Sequence, residues 1–385
     1  MFAERTNWNL NRNRLSQTLQ RHRDEGKSLI DLTLSNPTEC GFELDGAAIL
    51  QALCQPSALR YEPNARGMES ARRAVAAYYR ARHEEIAPQD IILTTSTSEA
   101  YSFLFRTLCN PADEILVPEP SYPLFTFLAD IHDVSIARYP LLYDQGWQID
   151  FHALEKIITS RTRGLIVVHP NNPTGHFCKP AEVERLNQIC SAWGLAIIAD
   201  EVFFDFIIND NLLPSFVSNS GALTFTMSGL SKISGLPQMK TAWLITSGPE
   251  QLKSQALERL EVIADTFLSM NTPVQQATPV FLEQRHRFQE QLRARVLRNL
   301  AELDRQLAVQ TVCKRLAVEG GWYVVIRVPA LRSDEDLAIE LLTTRDVYAH
   351  PGHFYDFPTE GYLVMSLITA EREFSEGMQR VLSVF

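Results

Sequence analysis

Long apolar runs are missing from this chain: no uncharged stretch approaches the ~20 residues that a bilayer-spanning helix needs. A basic excess is missing too. Lys and Arg number 36 against 46 Asp and Glu, a formal net charge of −10. That balance argues against nucleic acid as a partner, which would require a positive face; a local positive pocket for an anion stays compatible with it. Cysteine is sparse and unpatterned, at positions 40, 54, 109, 178, 190 and 313 with no Cys-x-x-Cys. These read as reduced thiols of a cytosolic protein, mostly buried as small hydrophobes. The opening Met1-Phe2-Ala3-Glu4-Arg5 runs into Asn-rich polar sequence without the apolar core of a secretory signal. The expectation is a cytoplasmic protein. Internal repeats and low-complexity segments are also lacking.

What is present is ordinary globular material. Hydrophobic residues make up 45% and charged residues 21% of 385 positions, ample for a core and comfortable for two domains. Short apolar runs recur: Ile91–Leu93, Glu114–Val117, Val134–Tyr139, Leu165–His169, Ala196–Ala199, Leu223–Met227 and Ala242–Thr246. Several are nearly all apolar, as strands covered on both faces are. Amphipathic stretches separate them. In Pro180–Trp193, Pro180 suits the first helical turn, Val183, Leu186, Cys190 and Trp193 mark one face, and Gly194 suits the stop. Strand alternating with helix predicts an α/β fold, an open and mostly parallel sheet covered by helices. After about residue 272 the texture changes. Val274–Leu307 reads as one or two long charged helices, followed by strands at Trp322–Val328 and Gly361–Leu367. The expected division is a large domain over 46–270, with 1–45 and 271–385 forming an N-terminal arm and a smaller α+β domain.

Polar residues fall at the ends of these strands. Ser96-Thr97-Ser98 follows the first, Ser121-Tyr122 the second, Asn172 the fourth, Asp200 ends the fifth, and Lys232 follows the sixth. In open α/β sheets ligands bind outside the carboxyl ends of the strands. Each group also has a plainer reading. A lone lysine is usually a solvated surface residue. Asp200 is as readily a helix cap. Asn172-Pro173-Thr174-Gly175 is a turn signature in any protein. Ser96-Thr97-Ser98-Glu99 is a capping box, although a capped helix N-terminus also receives phosphate. Tyr122 is as readily a core aromatic. Small neighbours distinguish Lys232: Gly229, Ser231, Ser234 and Gly235 leave room for a flat ligand at the backbone. Together the lysine, aspartate and asparagine are what a pyridoxal phosphate site needs. The lysine condenses with the aldehyde, the aspartate holds a proton on the pyridine nitrogen, and the remainder fixes phosphate and ring.

The order of these motifs, from about Asp31 to the C-terminus, resembles the class I/II aminotransferases, the fold-type-I pyridoxal phosphate enzymes. The resemblance implies that Lys232 is the Schiff-base lysine and proton carrier, and that Asp200 pairs with the pyridine nitrogen. It implies Asn172 on the ring hydroxyl, Tyr122 stacked on the ring, and Thr97, Ser98 and Ser231 on the phosphate. Tyr61, in Tyr61-Glu62-Pro63-Asn64, matches a tyrosine that reaches into the neighbouring subunit, which implies a homodimer. Leu34-Ser35-Asn36-Pro37 resembles the family's loop over the substrate, placing Asn36 and Asn172 beside it.

Three positions depart from the family pattern. Phe203 stands where a tyrosine usually follows the aspartate. Lys240 replaces an arginine on the phosphate, keeping the charge and losing the bidentate fork. Val364 stands where the small domain usually offers an arginine to the substrate carboxylate; Arg66, Arg327, His350 and His353 are the candidate substitutes. The reaction implied is transfer of an amino group between an amino acid and a 2-oxo acid. Another pyridoxal phosphate reaction on the same scaffold, β-elimination or decarboxylation, is the alternative, because one fold hosts several chemistries. A non-catalytic pyridoxal phosphate-binding regulator is disfavoured, since the segment before Asp31 has no room for a DNA-binding domain.

Overall fold

The computed structural model describes residues 1–208, 213–268 and 270–385. Its main sheet has eight strands: β1 Ile91–Thr94, β2 Glu114–Glu119, β3 Ser135–Tyr143, β4 Trp147–Ile149, β5 Thr162–Val168, β6 Ala196–Asp200, β7 Thr224–Gly229 and β8 Ala242–Ser247. Their spatial order is β1-β8-β7-β6-β5-β2-β3-β4. The run β7-β6-β5-β2-β3 is parallel, while β8 is antiparallel to both β7 and β1, and β4 to β3. The seven predicted strands are all present. The fold is α/β, as the alternation of apolar runs and amphipathic stretches implies.

Two-sided burial explains the apolar runs. Side chains alternate between faces along a strand. Ile115, Ile166, Ile198 and Phe225 therefore pack against Leu104 of the helix Thr97–Leu108 and Leu260 of the helix Glu250–Phe267. Their neighbours Leu116, Leu165 and Ile197 meet Leu186, Ile189 and Cys190 on the opposite face. Each such fully buried side chain contributes about 1.5–3 kcal/mol relative to leaving it in water.

The helix Pro180–Trp193 starts with Pro180 and ends at Gly194, which takes the left-handed conformation at φ 65° and donates its N–H to Cys190 O. Its buried stripe is Leu186, Ile189 and Cys190, and Trp193 is 55% exposed. The predicted face thus runs one turn too far: periodicity fixes a direction, not the extent of the surface it meets. The Val274–Leu307 region resolves into two helices, Thr272–Glu283 and Arg285–Leu307, meeting at Gln284.

A second, antiparallel sheet follows: β9 Lys314–Arg315, β10 Tyr323–Arg327, β11 His350–Pro351 and β12 Tyr362–Ser366, in the order β9-β10-β12-β11. Val324, Ile326, Leu363 and Met365 pack with Phe288, Leu292 and Val296 of the helix Arg285–Leu307. Residues paired across this sheet share a face, so Tyr323, Val325, Val364 and His350 lie on the opposite side. A short parallel pairing of Ile30–Asp31 with Val347–Tyr348 ties the N-terminal arm here. Among the described residues no helix is long and apolar enough to cross a membrane.

Candidate functional site

At the carboxyl ends of β1, β2, β5, β6 and β7 lies one cavity of about 340 Å³. That is within the range of small-ligand sites. Its walls include Thr97, Ser98, Tyr122, Asn172, Asp200, Ser231, Lys232 and Lys240. Eight of the ten residues singled out in the sequence are thus brought together by the strand ends. The other two lie elsewhere. Asn36 caps the turn Pro37–Glu39, accepting from Thr38 N at 3.2 Å, while its neighbour Ser35 lines the cavity. Tyr61 is 65% exposed and outside the lining.

The floor is the end of β6. Asp200 is buried, accepting from Tyr101 Oη at 2.9 Å and from Val202 N at 3.2 Å. Burial raises its pKa to about 6, and the two hydrogen bonds and Lys232 oppose that rise. Tyr101 lies one helical turn beyond Thr97, so both project from the same side of the helix Thr97–Leu108. This i, i+4 relation is the signal by which the sequence could have found it.

Lys232 is delivered by the short helix Leu230–Ile233 that follows β7. Its Nζ lies 5.6 Å from the centroid of the Phe203 ring and 5.0 Å from that of Trp322. Burial lowers the ammonium pKa to about 8, with Asp200 pulling the other way. Among the described residues no carboxylate forms an ion pair with Lys232. A partly desolvated amine of this kind is a competent nucleophile near neutral pH. Gly229 before it is sterically required: an added Cβ would lie 2.8 Å from Thr241 O and 2.9 Å from Ala242 Cβ.

One corner of the cavity is the start of the helix Thr97–Leu108. Ser96 caps it, accepting from Glu99 N at 3.2 Å, and Glu99 accepts from Thr95 N at 2.7 Å. The amides of the first turn point outward from the helix end, where they favour negative charge. Ser231 and Lys240 complete this corner, Lys240 in the left-handed conformation that ends the turn Pro237–Met239. On the other side, Asn171 braces the loop, donating to Pro120 O at 3.0 Å and Thr174 Oγ1 at 2.9 Å. The adjacent Asn172 is buried, and its Oδ1 has no hydrogen-bond partner. A buried polar atom left unpaired costs about 1–3 kcal/mol, so a cavity wall holding one is suited to a polar ligand.

The second sheet closes the cavity. Tyr323 lines it, and Ser121 N donates to Tyr355 O at 2.9 Å across the gap between the sheets. Val364 is buried among Val325, Tyr355 and Phe357. None of the four candidate substitutes for an arginine lines the cavity. Arg66 is engaged by Glu261 at 2.7 Å and by Gln89 O. Arg327 pairs in the sheet with Tyr362 and Lys314. His350 meets Tyr355 Oη through Nδ1 at 3.1 Å, and burial lowers its pKa to about 4, leaving it neutral. His353 packs against Phe354. Tyr323 and Trp322 were not foreseen, since no motif marks the start of the strand β10; in the loop Leu34-Ser35-Asn36-Pro37 it is Ser35, not the Asn36 singled out from the sequence, that lines the cavity.

Comparison with known proteins agrees with this geometry. Residues 44–373 match the family "Aminotransferase class I and II". An alanine aminotransferase of Mycobacterium tuberculosis is 27% identical over 376 residues, covering 93% of this chain and 85% of that protein. Glutamate-pyruvate aminotransferase AlaA of Escherichia coli is 30% identical over 261 residues, 67% of this chain and 64% of that protein. Among solved structures, an aminotransferase from Escherichia coli superposes with a TM-score of 0.86 at 23% identity, covering 99% and 96% of the two chains. The chain belongs to the class I and II aminotransferases, a family of pyridoxal phosphate enzymes.

Proposed function

We propose that this protein binds pyridoxal phosphate in the cavity between its sheets and moves an amino group from an amino acid to a 2-oxo acid. The observation that carries the reading is the meeting of Lys232, Asp200 and Asn172 in one pocket whose far corner is a capped helix start. The residues suit the cofactor: Asn172 has an unpaired buried oxygen, Asp200 a buried carboxylate, and Lys232 an amine with a lowered pKa. Bound there, pyridoxal phosphate supplies an aldehyde for amine exchange and an electron-withdrawing ring that stabilises negative charge at the substrate α-carbon.

In this reading Asp200 holds the proton on the pyridine nitrogen, its position fixed by Tyr101 and Val202. Asn172 binds the ring hydroxyl and Tyr122 covers the ring face. Thr97, Ser98, Ser231 and Lys240 receive the phosphate. Lys232 Nζ takes the proton from the substrate α-carbon and returns it on the other side of the exchange. Trp322 and Phe203 keep that amine away from bulk water.

The substrate end is neutral. Among the described lining residues the cations are Lys232 and Lys240, both committed to the cofactor in this reading. The α-carboxylate would be received by the hydroxyls of Tyr323 and Ser35. Residues 46–270 would form the cofactor-holding domain, and 1–45 with 271–385 the arm and small domain. A homodimer in which Tyr61 reaches the partner's cavity fits its exposure. Six free cysteines suit a reducing, cytoplasmic setting.

A single-turnover experiment tests the reaction. With alanine or glutamate alone, the holoenzyme should form stoichiometric pyridoxamine phosphate and the matching 2-oxo acid. With serine or cysteine, which carry a leaving group on the β-carbon, release of ammonia and pyruvate without an acceptor would assign elimination, and carbon dioxide release from any of these amino acids would assign decarboxylation.

A further inference from the structure

A second cluster of donor atoms sits behind the cavity. After the turn Asn171–Gly175 the chain runs His176-Phe177-Cys178-Lys179 into the helix Pro180–Trp193, whose third residue is Glu182. All three of His176, Cys178 and Glu182 are buried, and their donor atoms lie within 4.8 Å of one another. His176 is 2% exposed, and its Nδ1 has no hydrogen-bond partner. Its Nε2 is 3.3 Å from Glu182 Oε2. A void of about 10 Å³ borders His176 and Cys178, with Asn171 and Tyr139 also in its wall.

Each feature suits a bound cation. Two donors about 2.0–2.1 Å from one tetrahedral ion stand roughly 3.3 Å apart. Glu182 is preset, since Oε1 accepts from Ile149 N and Oε2 from Lys179 N, both at 2.8 Å. The other ring nitrogen, His176 Nδ1, faces Glu319 Oε2 at 3.9 Å. A carboxylate behind a ligating histidine is the usual outer arrangement at zinc. Glu319 is itself fixed by Lys179 Nζ and by Phe177 N. One thiolate, one carboxylate and one neutral imidazole balance a divalent charge. Mixed sulfur, nitrogen and oxygen donors favour Zn²⁺ over harder ions.

We propose that His176 Nε2, Cys178 Sγ and Glu182 Oε2 bind one Zn²⁺ ion. Binding releases the thiol proton to solvent, as metal binding by cysteine does. The ion would join the turn that carries Asn172 to the first turn of the next helix. It lies outside the cavity and takes no part in amino transfer, so the proposal stands apart from the function proposed above.

The test is metal titration of the purified, chelator-dialysed holoenzyme. One equivalent of Zn²⁺ per chain is expected. Co²⁺ in its place should give a near-ultraviolet thiolate-to-metal absorption. Cys178→Ser should abolish that absorption and weaken Zn²⁺ binding beyond the 10–100-fold that outer partners typically give. Glu319→Gln should weaken it by about 10–100-fold. Cys190→Ser, a buried thiol on the same helix, should change neither. Cofactor content measured in parallel reports folding, and His176→Gln replaces Cys178→Ser if that variant loses its cofactor. Absence of the Zn²⁺ equivalent in the wild type, or a Co²⁺ absorption that survives Cys178→Ser, overturns the proposal.

Discussion

The amine of Lys232 offers the sharpest quantitative test of the site. Burial brings its pKa from 10.5 to about 8. At pH 7.5 the unprotonated fraction is then about one quarter, against roughly one in a thousand for an unperturbed lysine, a gain of roughly 200-fold in nucleophile. Removing Asp200 has a definite sign. Its carboxylate has a pKa of about 6, so it is mostly charged around the lysine midpoint near 8 and favours the ammonium form. Asp200→Asn should therefore move the lysine midpoint further down. The assay is the second-order rate at which cofactor-free protein condenses with added pyridoxal phosphate, followed by absorbance from pH 6 to 10. For the wild type the rate should rise with a midpoint near 8, and for Asp200→Asn at lower pH. A wild-type midpoint near the unperturbed 10.5, or an upward shift in the variant, would show that the amine is not desolvated as the structure places it.

Phe203→Tyr, which puts a hydroxyl near the lysine amine, should lower the pH midpoint of the bound cofactor's visible spectral change; a higher midpoint than wild type would refute this. Lys240→Ala should weaken cofactor retention by about tenfold, the scale of one partly exposed charge-assisted contact, as measured by dialysis against phosphate. Because the cations among the described lining residues, Lys232 and Lys240, are both assigned to the cofactor in the proposed reading, an amino acid and its amide should differ in kcat/KM by less than about tenfold; a bidentate arginine would impose a far larger gap. Gly229→Ala should destabilise the fold by about 1–3 kcal/mol through overpacking against Thr241 O, seen as a lower first thermal transition of the holoenzyme.

The strands were legible because two-sided burial forces apolar runs, and Leu165–Val168 or Ala196–Ala199 admit no other reading at that length. Their direction was not. Nothing in Ala242–Ser247 marks β8 as antiparallel, because direction is set by how the Lys232–Lys240 excursion folds back between neighbours. Strands of two or three residues, such as Trp147–Ile149, carry too little periodicity to be read. The meeting of Thr97, Ser98, Tyr122, Asn172, Asp200, Ser231, Lys232 and Lys240 in one cavity was legible because these residues follow strand ends in order. The wall facing them was not. Tyr323 acquires its place only when the second sheet packs over the first, and Ser35 rather than Asn36 faces the cavity because Asn36 is spent on its own turn.

The cavity is shared between two scaffolds of different kinds. One wall rests on strands locked into an eight-membered sheet; the other, Tyr323 with Tyr355 and Val364 behind it, belongs to a four-stranded antiparallel sheet joined to the first by contacts such as Ser121 to Tyr355 and Gly175 to Gly320. In the function proposed above, mutations in that layer redraw which amine is accepted while the residues assigned to the cofactor stay untouched. A lineage built this way can diversify its diet without relearning its reaction.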